Sequence, residues 1–229
     1  MLAIATPIVD PTTSLWVSPW SDELIRETGH DPKSAYVERF WLGILGPSAT
    51  WLLRSISYGF ESAPEGFDLS PGDMARVLGL GDRVGRHSPF LRSLSRLCQF
   101  ELAHYRGGSL VVRPMVPWVE PRMVARMPQQ LRAEHDQWDV ADEQSSPLRA
   151  IRRRAASLAM SVVRTGGTLA DAERMVGRSG CHPSMVESIA LWAWNQHQLA
   201  LCHASGSGHM ALVPNPSAVA VVPVAVVPD

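Results

Sequence analysis

Between residues 68 and 114 the chain carries two helix-start signals and one hairpin signal in close succession. That succession limits the fold more than any other feature of the sequence. Ser70-Pro71-Gly72-Asp73 supplies a capping hydroxyl, a proline suited to the first helical position, and an acid able to return a bond to the backbone. Met74, Val77 and Leu78 follow at helical spacing, and Gly79 marks the stop. After a polar turn, Ser88-Pro89 repeats the same start chemistry. In this second helix Phe90, Leu94, Leu97 and Cys98 share one face with Leu91 beside them, while Arg92, Ser95, Arg96 and Gln99 share the opposite face. Residues 101–106 and 109–113 then read as two strands joined by Gly107-Gly108, a pair that tolerates the positive φ angles of a tight hairpin turn. Pro114 and Pro117 keep the second strand short.

The outward face of the second helix has the chemistry of a nucleic-acid reader. Arg and Gln make paired hydrogen bonds to base edges, and Ser serves bases or phosphates. Arginines at 83, 86, 92, 96, 106 and 113 meet a single acid, Glu101, within 83–113, although the whole chain has a formal net charge of -1. Positive charge is therefore concentrated where phosphate attraction would use it. The stretch 69–113 resembles the winged helix-turn-helix domains of bacterial regulators. The flanking runs Phe40-Trp41-Leu42-Gly43-Ile44-Leu45-Gly46-Pro47-Ser48 and Arg126-Met127-Pro128-Gln129-Gln130-Leu131 look like those of proteins from GC-rich bacteria, so the likeness covers residues 34–138. It implies that Arg92, Ser93, Arg96 and Gln99 face the major groove and that Arg106 approaches a neighbouring minor groove. Adding Arg86, His87, Ser88, Ser95 and Arg113 by position and charge completes the set expected to contact double-stranded DNA.

The expected architecture is mainly α with a small β-hairpin: a winged helix-turn-helix followed by a small helical bundle. Residues 1–32 read as an N-terminal arm that packs through Trp16 and Trp20. Residues 33–138 form the reading domain with its flanking helices. A helix over 34–45 turns Tyr36, Val37, Phe40, Trp41 and Ile44 inward. Gly46-Pro47 interrupts it, and a helix to about residue 60 turns Trp51, Leu52, Ile56 and Tyr58 mostly inward. The helix over 121–138, bent or restarted at Pro128, has Met123, Val124, Met127, Leu131 and His135 on its inner side. It serves equally well as a homodimer arm or as a helix folded back on its own core. Residues 139–147 are acidic and linker-like, 148–203 read as three short helices, and 204–229 as a flexible Ala/Val/Pro tail.

Catalytic patterns are missing from the sequence: there is no GxSxG, Walker A, HExxH, or GxGxxG between a strand and a helix. The chain therefore reads as a non-enzymatic protein without cofactors. Cys181-His182 and Cys202-His203 bracket one helix, but its span of about 30 Å keeps one metal ion from reaching both pairs. Three cysteines without CxxC spacing give no disulfide framework, which fits a reducing cytoplasm, and no apolar run is long enough to span a bilayer. Two functions remain from this reading. One is a DNA-binding transcriptional regulator or DNA-associated accessory factor. The other is a protein–protein adaptor without DNA binding, docking through the C-terminal helices, the Trp-rich faces or the tail.

Overall fold

The structure, a computed structural model, describes residues 14–81 and 88–205. It is mostly helical with one small four-stranded sheet. The chain divides into two compact units at Ala150 and Ile151.

Sheet order in the first unit is β2-β1-β4-β3. Strand β1 (Leu15–Pro19) runs antiparallel to β2 (Phe67–Leu69), with Leu15 opposite Leu69, and parallel to β4 (Ser109–Val112), with Val17 opposite Leu110. Strand β3 (Ala103–Arg106) closes the hairpin with β4. The N-terminal segment expected as a packing arm thus supplies a central strand. The reason is a period of two: Leu15 and Val17 point into the core, and Trp16 between them is exposed. Gly66 lets the chain pass under this strand. A Cβ there would lie 2.6 Å from the Val17 carbonyl oxygen and 2.9 Å from the Trp16 ring. At the hairpin tip Gly107 and Gly108 take φ angles of 57° and 84°, the left-handed pair that a two-residue turn needs.

Helix α1 (Glu23–Thr28) starts from Asp22, whose carboxylate accepts from the Ile25 amide at 3.1 Å. A helical stretch with a π turn over Val37–Trp41 leads into α2 (Leu42–Leu45), and Gly46 separates that from α3 (Pro47–Ser62). Helices α4 (Pro71–Val77) and α5 (Pro89–Gln99) begin where the capping signals put them. Ser70 Oγ accepts from the Asp73 amide at 3.3 Å, and Ser88 Oγ from the Leu91 amide at 3.1 Å. Helix α5 lays Phe90, Leu94 and Leu97 into the same core as Leu52, Leu53 and Ile56 of α3 and as Val17, Leu110 and Val112 of the sheet. Trp51 and Tyr58 of α3, expected inward, are instead 54% and 55% exposed. They fall on the side of the helix opposite Ala49, Leu52, Leu53 and Ile56.

After the hairpin, α6 (Pro121–Val124) is a single turn, and α7 (Gln129–Ser145) is a separate helix restarted after Pro128. Met123, Val124, Met127 and Leu131 pack against the core, so this segment lies back on its own unit. The acidic stretch expected as a linker is helical to Ser145, and Asp142 within it is buried and paired with Arg149.

The second unit holds helices α8 (Pro147–Arg164), α9 (Leu169–Arg178) and α10 (Pro183–Ser205), of which α8 and α10 run across its boundaries. Thr168 and Asp171 cap α9 reciprocally. The buried side chains of the second unit are mostly small: Ala155, Ala159, Ala172, Ala190 and Ala193, with Val163, Val176 and Ile189.

Candidate nucleic-acid interface

The expected contact residues belong to α5 and to the β3–β4 hairpin, and the structure sorts them into three groups. Arg92 and Gln99 are exposed on α5, Ser95 is half-buried beside them, and Arg106 is exposed at the hairpin tip next to Gly107-Gly108. These four keep their polar groups on the surface. They are positioned by the hydrophobic side of α5 and by the register of the hairpin, in which Arg106 pairs with Ser109.

A second group is engaged inside the fold. Ser88 is buried and spends its hydroxyl on the cap of α5. Ser93, implied by the resemblance as a groove residue, is 4% exposed, and its hydroxyl donates to the Pro89 carbonyl at 2.9 Å. Its position one step from Leu94 carries it onto the core side. Arg113, expected to neutralise phosphate, is also 4% exposed. One guanidinium nitrogen pairs with the Asp22 carboxylate, Nε donates to the Glu101 carbonyl at 2.8 Å, and the Trp20 ring covers the group at 3.8 Å. None of these three side chains reaches the surface that Arg92 occupies. Arg96 lies between the groups: it is exposed, yet its Nε and Nη2 both donate to the Ile44 carbonyl, at 3.0 and 2.5 Å, and its guanidinium rests over the Phe100 ring. It closes the carbonyl end of the short helix α2, where an arginine also suits the helix dipole. Arg86 and His87 fall outside the described residues.

Sequence reasoning expected Trp20 to pack but did not connect it or Asp22 to Arg113, which both hold, because it took the whole N-terminal segment as an arm. The alternation of Leu15, Trp16, Val17 and Ser18 was the available signal for a strand. Trp20, Asp22 and Arg113 line a cleft of about 240 Å³ together with Pro114 and Met115. Its walls are largely apolar, and the Asp22 carboxylate is already shared between Arg113 and the α1 cap.

Two acidic side chains of α7, Glu134 and Asp142, are paired within the first unit. Glu134 takes a two-point bond from Arg39, at 2.6 and 2.7 Å, and this bond lowers the Glu134 pKa and raises that of Arg39. Asp142 is held by Arg149. Among the described residues no group of three His, Cys, Asp or Glu side chains is arranged to hold a metal ion, and no helix is long and apolar enough to cross a membrane. Comparison with protein-family models, with curated proteins and with solved structures gives no match.

Proposed function

We propose that the first unit is a winged helix-turn-helix module that binds double-stranded DNA, with α5 as its reading helix and the β3–β4 hairpin as its wing. The supporting order is helix, strand, two helices, then hairpin: α3, β2, α4, α5, β3, β4. One observation carries the functional reading. The polar face of α5, with Arg92, Ser95 and Gln99, is left uncovered by the core it packs on, and Arg106 extends from a tight turn that follows the same helix. In this scheme Arg92 and Gln99 address base edges, since both side chains form paired bonds there, and Arg106 supplies phosphate attraction. Arg96 contributes by fixing α5 against α2. The working role is a transcriptional regulator or an accessory factor acting on DNA.

Selection of bound sequences from a pool of random duplexes tests this reading. The wild-type chain enriches a motif. Arg92→Ala combined with Gln99→Ala flattens it, at a cost of about 1–3 kcal/mol per base-reading side chain. A double variant that enriches the same motif as the wild type rules out α5 as the reading helix.

A further inference from the structure

In the first unit Arg39, Arg54, Arg76 and Arg113 each meet a carboxylate, and Arg96 donates to the Ile44 carbonyl. Arg92 and Gln99 differ from these. Both are exposed on α5, and among the described residues neither side chain has a hydrogen bond or an ion pair. They stand two helical turns apart on one stripe, about 10.5 Å from end to end, with Ser95 half-buried between them. The two side chains also differ in what they pair with. A guanidinium has only donors, set in a fork, and guanine shows two acceptors, O6 and N7, in the major groove. A carboxamide has both an acceptor and a donor group, and adenine shows the matching N6 donor and N7 acceptor. Cytosine offers an N4 donor that suits a carboxylate, and α5 carries none. The Ser95 hydroxyl both donates and accepts, so it suits any base edge.

We propose, resting on the DNA reading above, that α5 selects a guanine through Arg92 and an adenine through Gln99, with one base pair between them that Ser95 covers without choosing. Side chains about one turn apart on a helix laid in the major groove meet successive base pairs, and this sets the spacing. Arg96 takes no part in the choice, because two nitrogens of its fork are held by the Ile44 carbonyl of α2. Arg106 on the hairpin adds affinity to every sequence alike.

Exchange of the two side chains, one at a time, tests the choice of bases when the full chain selects from duplexes with a randomised core. The wild type should enrich sites that hold a guanine and an adenine separated by one base pair, each preferred about 10-fold or more. Arg92→Gln should turn the preferred guanine into adenine and leave the other position alone. Gln99→Arg should turn the adenine into guanine and leave the first position alone. A new preference cannot come from a chain that has failed to fold, and both side chains are exposed, so circular dichroism should match the wild type. A wild-type motif without that pair of bases overturns the proposal, and so does a motif that both exchanges leave as it was. Failure of the base choice and failure of the DNA reading look different. If the motif holds other bases but Arg92→Ala with Gln99→Ala still flattens it, α5 remains the reading helix and only the choice of bases falls. Salt-dependent binding without any enriched motif likewise removes the base choice and keeps the contact with DNA. No binding even at low salt removes both.

Discussion

The Arg113 guanidinium is held by the Asp22 carboxylate, the Glu101 carbonyl and the Trp20 ring, and is almost fully buried. Its removal leaves a buried carboxylate without its counter-charge, so Arg113→Ala should cost about 3–5 kcal/mol in urea unfolding. Arg106 is the opposite case. Exposed on the hairpin, it should change stability by less than about 0.5 kcal/mol when replaced by Ala, while weakening DNA binding alike on every sequence. An Arg113→Ala chain as stable as the wild type would mean that the pair is not closed to solvent. A third residue-scale expectation concerns Cys98. Burial pushes its thiol up to about 12, so it stays protonated at ordinary pH, and the thiolate that reacts with disulfide reagents is scarce. Labelling at Cys98 should therefore stay slow in the native chain through mildly alkaline pH and become fast only on unfolding. Because the folded value lies above the unfolded one, this thiol stabilises the fold below its unfolded pKa and loses that contribution as pH rises toward about 12.

Helix α7 shows how one element is fastened by a few groups at one point. Tyr36 is fully buried in α7's docking site. Its hydroxyl accepts from the Val119 amide at 3.0 Å and bonds His135 Nε2 of α7 at 2.9 Å, while His30 stacks on its ring at 3.7 Å. Tyr36→Phe keeps the ring and removes the hydroxyl from two buried partners, which should cost about 1–3 kcal/mol. Hydrogen exchange should rise at Val119 and along α7; unchanged protection there would place the anchor elsewhere. The sequence made some elements legible and hid others for the same physical reason. Helices α4 and α5 were readable because their caps, Ser70 and Ser88, act on amides three residues away. Strand β1 was not, since its partners lie near residues 68 and 110, and five alternating residues carry little local signal. Arg113 read as a phosphate contact because its counter-charge, Asp22, is 91 residues distant. Trp51 and Tyr58 read as core because aromatic side chains usually are, and the acidic run before 147 read as linker because its composition hides the Asp142–Arg149 pair.

At the scale of the whole chain, 21 basic residues meet 22 acidic ones, so non-specific attraction to DNA cannot come from net charge. It has to come from placement. Arg39, Arg54, Arg76, Arg113 and Arg149 are each paired with a carboxylate, whereas Arg92 and Arg106 are exposed on the two elements proposed to meet the duplex. The DNA reading thus depends on a small, local cationic surface, and a small surface has a measurable signature. Each neutralised phosphate contributes about −0.9 to the slope of log affinity against log salt, so two to four contacts give a slope of roughly −2 to −4. Fluorescence anisotropy of a labelled random duplex, titrated with the full chain at a series of salt concentrations, measures that slope directly. The account predicts binding at low salt that weakens along such a line, with Arg106→Ala reducing the slope by about 1. Affinity that does not change with salt, or no binding at the lowest salt, would contradict it.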